Sequence, residues 1–114
     1  MPLRMQPRWN PPLRDEVSCN RLTLGGQLVE LDDLRYTPAG VARIEMKIRH
    51  ASTREEAGMQ RQVQCEVPAL ALGEAAKQAA SLKTGQQVRA EGFLAQRSLR
   101  STQLVMHIDK ITLE

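Results

Sequence analysis

Between Val41 and His50, hydrophobic and polar residues alternate. Ile44, Met46 and Ile48 share one parity, and Arg43, Glu45, Lys47 and Arg49 take the other. A period of two sends successive side chains to opposite faces, so the stretch predicts a strand buried on one side and wet on the other. Arg61 to Val67 repeats the rule, with Val63, Cys65 and Val67 on the inward parity and Gln62, Gln64 and Glu66 outward. Upstream, Asn20 to Leu31 is a third extended segment. Leu22 and Leu24 alternate until Gly25-Gly26, after which Leu28, Val29 and Leu31 place apolar residues on both parities. Glycine inside a strand, followed by blurred alternation, predicts a bulge or sharp bend rather than a hairpin turn.

The connections come next. Asp32 to Gly40 carries turn chemistry in Asp32-Asp33 and in Thr37-Pro38-Ala39-Gly40. Ser52-Thr53 ahead of Glu55-Glu56 reads as overlapping capping boxes and predicts a helical turn ended by Gly58. Ala69 to Leu82, rich in alanine and leucine, predicts a helix stopped at Lys83-Thr84-Gly85. Gln87 to Gln96 and Gln103 to Leu113 read as two more strands, joined by a short basic loop with Arg97 and Arg100. Three strands, one short helix, then two strands is the order of the OB-fold. The predicted class is therefore all-β, a five-stranded barrel with one short helix between strands 3 and 4.

Composition narrows the domain plan. The chain has 114 residues, room for one core. Residues 1–19 hold four of the six prolines, three arginines and the sole tryptophan, Trp9, without periodicity. That stretch predicts a loose N-terminal extension, leaving residues 20–114 as the binding domain. No apolar run approaches the length of a membrane span. Two cysteines, Cys19 and Cys65, are too few for a disulfide framework, and free thiols in a cytoplasmic protein fit them better. Cys19, His50, Cys65 and His107 lack the close pairing of a zinc site, so no metal is expected. No phosphate-cradling glycine loop or nucleophile elbow is present, and Glu55-Glu56 do not form a poised acid–base pair. The expectation is a non-enzyme without a cofactor.

Charge points to a partner. The formal net charge is only +3, yet twelve of the sixteen basic residues are arginine, whose planar fork suits phosphate. On an OB barrel, the outer faces of strands 2 and 3 and two connecting loops form the binding surface. In this chain they hold Arg35 and Tyr36 in the first loop, Arg43, Lys47 and Arg49 on strand 2, Arg61 and Gln64 on strand 3, and Arg97 and Arg100 in the late loop. Two readings stay open, a groove that tracks the phosphates of single-stranded DNA, and a plain solvated face, since alternation alone puts charges outward. Only three aromatic residues occur, so phosphate contact should outweigh base stacking.

Specific stretches carry a resemblance. They are Asn20-Arg21-Leu22, Gly26, the Pro38-x-Gly40 turn, His50, Glu55-Glu56-Ala57-Gly58, Arg61-Gln62, Cys65 to Pro68, Gly92-Phe93, Val105 and His107. Over essentially everything after residue 19, the chain resembles the bacterial primosomal replication protein N family of single-strand-binding-like OB proteins. That resemblance implies a homodimer acting in replication restart, which binds single-stranded DNA and links the primosomal restart helicase to helicase-loading factors. It places Arg35 and Arg100 at basic sites of the first and late loops. Departures accompany it. A stacking tryptophan of the family falls at Gln64, a neighbouring aromatic at Met59, and a late-loop lysine at Ser98. The alternative expectation is thus a protein–protein adaptor that binds DNA only weakly.

Overall fold

The computed structural model describes residues 18–114. The proline-rich extension over residues 1–19, with Trp9, lies almost wholly outside the described residues. Six strands and one helix follow in chain order: β1 (Leu22–Leu31), β2 (Arg35–Tyr36), β3 (Ala42–Glu56), β4 (Met59–Leu72), α1 (Glu74–Ala79), β5 (Gln87–Gln96) and β6 (Leu104–Leu113). The order around the sheet is β1-β5-β6-β4-β3, and β1 returns to β3 to close five strands into a barrel. Only β4 and β6 run parallel. The two-residue β2 adds to the outer edge of β3 from within the first loop. The OB-fold expectation holds.

The alternation of β3 fills the barrel. Ala42, Ile44, Met46 and Ile48 are buried, joined by Ala69 and Ala71 of β4, Val88 and Ala90 of β5, and Met106, Ile108 and Ile111 of β6. Strand β1 bends to serve both halves. Leu22 to Gln27 pair with β5, while Gln27 to Leu31 pair with β3 across a bulge between Leu28 and Glu30. The change of partner comes at Gln27, directly after the predicted glycines, and the bulge follows Leu28. A Cβ on Gly26 would collide with the backbone carbonyl oxygen of Arg49 and sit 2.9 Å from Cγ2 of Ile48. The backbones approach too closely there for any side chain.

Three local expectations fail. The helix does not begin at Ala69, because Ala69 to Leu72 complete β4, with Ala69 opposite Met46 and Ala71 opposite Ile44. Small inward residues at period two are worth more inside a crowded barrel than alanine's helix propensity, and α1 is left with six residues at Glu74–Ala79. Nor is there a helical turn after Ser52. The β3–β4 ladder runs without a break from Arg43 opposite Leu72 to Glu56 opposite Met59. Its two-residue turn is Ala57-Gly58, both at positive φ (54° and 80°), as tight hairpins require. Beyond Ile48 no residue of β3 is buried, so the hairpin projects past the barrel as an arm. Cys65 keeps the parity of Val67 but lies on that arm and is exposed, not inward.

Gly26→Ala should destabilise the barrel by roughly 1–3 kcal/mol, at the upper end because the obstacle is backbone. Urea unfolding of the variant beside the parent chain measures it, and an unchanged midpoint would contradict the close approach.

Candidate nucleic-acid interface

Register decides which charged side chains meet. Residues directly opposite in a ladder share a face. Arg35 lies opposite Arg43, Arg49 opposite Glu66, and Ala51 opposite Gln64. Arg35, Arg43, Glu45, Lys47, Arg49, Gln64 and Glu66 therefore occupy one outer face of β2, β3 and β4. The late loop joins them. Arg97 donates its backbone N–H to the carbonyl oxygen of Gln103 and its Nε–H to Oε1 of the same residue at 3.1 Å. Its Nη1 then lies 3.7 Å from Oε1 of Glu45, which ties the β5–β6 loop to β3.

Carboxylates hold most of this stripe. Arg43 donates from Nη2 to Oε2 of Glu45 at 2.6 Å, so Glu45 is shared by two guanidinium groups. Arg49 donates from Nε and Nη2 to Oε2 of Glu66 at 3.0 and 2.8 Å. Lys47 Nζ stands 3.5 Å from Glu30 and 3.9 Å from the other oxygen of Glu66. The hydrogen bond from Arg43, which outweighs the opposing effect of partial burial, holds the Glu45 carboxyl below the ordinary glutamate value, and the charge of Arg97 adds to this.

Not every expected residue reaches this face. Tyr36 lies opposite Ala42, whose side chain points into the barrel, so Tyr36 sits at the barrel mouth on the other parity and is largely exposed. Arg61 lies opposite Arg54 on the other side of the arm, with Nε 3.4 Å from Glu56. Arg100 is exposed in the late loop and, with Arg35, makes no ion pair among the described residues. Arg35, Arg43, Lys47, Gln64 and Arg97 come together; Tyr36 and Arg61 do not.

Sequence reasoning missed two features. Phe93 and His107 face each other across β5 and β6 with ring centroids 5.0 Å apart and planes 12° from parallel. They lie in register with Leu70 of β4, which is buried, and with Glu45 of β3 on the outward parity. Period-two alternation marks Phe93 as outward, but only the register shows its partner. The second is His50, whose Nδ1 is 2.6 Å from the carbonyl oxygen of Gly25 and so donates to it. Nε2 then accepts from the Ser52 hydroxyl at 2.8 Å, and both ring nitrogens are engaged. Among the described residues no three His, Cys, Asp or Glu side chains gather as a metal site, and no helix is long and apolar enough to cross a membrane.

The Arg97–Glu45 contact makes a titration prediction. A carboxyl with a depressed folded pKa contributes stability above its unfolded pKa and loses it as pH falls through the folded value. Acidification should therefore release the late loop, below the pH at which ordinary glutamates titrate. Arg97→Ala should raise the Glu45 pKa and Arg43→Ala should raise it further; carboxyl-detected NMR titration of the three chains measures both.

Comparison with known proteins agrees with this architecture. Residues 20–110 match the family described as another single-strand binding protein family. Replication restart protein PriB of Nitrosomonas europaea is 35% identical over 99 residues, 87% of this chain and 92% of that protein. PriB of Neisseria meningitidis serogroup B is 38% identical over 92 residues, covering 81% and 91%. Among solved structures, PriB of Ralstonia solanacearum superposes with a TM-score of 0.76 at 34% identity, over 85% of this chain and 99% of that one. The single-stranded DNA binding protein of Thermus aquaticus gives a TM-score of 0.69 at 25% identity, over 83% of this chain and 50% of the other. The described strands, the barrel they close and the extent of these matches place the chain in the PriB family of bacterial replication restart proteins.

Proposed function

We propose that the chain binds single-stranded DNA as a non-catalytic component of the replication-restart primosome. The observation that carries the reading is the single outer face on which Arg35, Arg43, Lys47 and Arg97 converge, with Arg49 and Gln64 beside them. Guanidinium groups there offer forked donors to phosphate oxygens. Arg100 stands exposed in the late loop, three residues after Arg97. Tyr36 and Arg61 stand off that face, and their contribution is correspondingly small. Titrating a labelled oligo-dT by fluorescence anisotropy should show binding at low salt that weakens as salt rises. The slope of log K against log salt should be about −0.7 for each phosphate engaged. No binding at low salt, or a salt-independent constant, would reject the mechanism.

The chain also bridges partners on this reading, joining the restart helicase to helicase-loading proteins in the bacterial cytoplasm. The near-complete pairing of the stripe by carboxylates favours a second reading, an adaptor that contacts protein through the same face and DNA only weakly. A helicase pull-down that survives Arg97→Ala with Arg100→Ala, while DNA binding is lost, would favour that adaptor role.

A homodimer is part of the proposal. Pairing of β1 with β3 begins only at Gln27, and His50 and Arg49 of β3 approach Gly25 and Gly26, so Leu22 to Leu24 keep one edge without a β3 partner. Free strand edges are commonly covered by a second copy. Sedimentation should give twice the 12.8 kDa chain mass, and a concentration-independent monomer would exclude the dimer.

A further inference from the structure

We infer that Glu66, assisted by Glu45, is an internal competitor of phosphate: nucleic acid binds this face by exchanging the carboxylates for phosphates, and these two residues hold the affinity down. The inference rests on the single-stranded DNA reading and adds to it the residues that set its strength. Arg43 and Arg97 are held by Glu45, Arg49 by Glu66, and Lys47 by Glu66 and Glu30. Four cations thus face three carboxylates, and the net charge of the patch is far smaller than its arginines suggest. A phosphate arriving here meets cations already partnered by carboxylates, and those carboxylates repel it.

Exchange is feasible because the pairs are exposed. The Arg49 and Glu66 side chains keep 57% and 43% of their surface in solvent, and exposed pairs of this kind are weakly held. A multiply charged strand offers several phosphates at once and can displace them. Glu66 is the cleaner of the two levers. Its neighbours Arg49 and Lys47 stand on the continuous β3–β4 ladder, so neutralising it leaves their backbone positions unchanged. Glu45 also ties Arg97 and the late loop to β3, and its loss would shift the loop as well as the charge.

The test uses the full chain with Glu66→Gln, and Glu91→Gln as the control for net charge. Glu91 lies on β5, which pairs with β1 and β6 but not with β3 or β4. Both substitutions remove one negative charge; only the first lies on the stripe. Anisotropy with labelled oligo-dT across a salt series should show Glu66→Gln binding about three- to tenfold tighter at low salt, the effect of one like charge removed at close range. Its salt slope should steepen by about 0.7 for each cation set free. Glu91→Gln should stay within about twofold of the parent, because Glu91 pairs with none of the stripe's cations. If the parent binds and Glu66→Gln binds no tighter than Glu91→Gln, the competitor role is overturned while the DNA-binding reading stands. If neither the parent nor Glu66→Gln binds at low salt, the DNA-binding reading falls and takes the inference with it. Should only Glu66→Gln bind, the competitor role is supported in its strongest form.

Discussion

One constraint organises this molecule: the strict in–out alternation of β3. Its inward residues, Ala42, Ile44, Met46 and Ile48, fill the barrel, and its outward residues, Arg43, Glu45, Lys47 and Arg49, form the charged stripe. These are two readings of one strand. A slip of one residue would send Arg43 and Lys47 into the core and Ile44 and Ile48 to water, so the hydrophobic face fixes the register and the register fixes the site. The closed ladder with β1 on one side and β4 on the other leaves the strand no freedom to slide. A charged face on so firm a support loses little order on binding, which suits it to hold phosphates in a defined path.

Much of the fold was legible because that alternation is a local property. Strand order, the inward residues of β3 and the bend just after Gly25-Gly26 all follow from pattern and glycine placement. The failures share one cause. Ala69 to Leu72 favour helix by propensity, and Ser52 to Glu56 offer capping chemistry, yet both join strands because each already has a paired neighbour. Helix propensity is a weak preference spread over a few residues, whereas an unbroken antiparallel ladder pairs a backbone donor and acceptor at every second residue along it. Cys65 shows the limit of parity. Alternation assigns a side, but whether that side is buried depends on how far the barrel extends beneath it.

The site was half legible for the same reason. Sequence parity placed Arg43, Lys47 and Gln64 on one face. The same parity sets Arg61 with Val63, off that face, as its partner Arg54 confirms; it could not place Tyr36, whose face is set by its cross-strand partner Ala42. Nor could it anticipate that Arg97 would reach across to Glu45, or that Phe93 would stack on His107, since those contacts join residues distant in sequence. Loop residues drawn into a site by a single ion pair leave no periodic trace.

Counting arginines therefore measures the wrong quantity. What a nucleic acid meets is the charge left after the protein's own carboxylates have claimed their partners. Here Glu45 stands between two guanidinium groups and Glu66 between a guanidinium and an ammonium. Both acids belong to the same outward parity as the cations they hold, because alternation admits charged residues of either sign to a wet face. The rule that builds the charged stripe thus also supplies the carboxylates that pair with it. The balance between them is set residue by residue, in a way that net charge does not report.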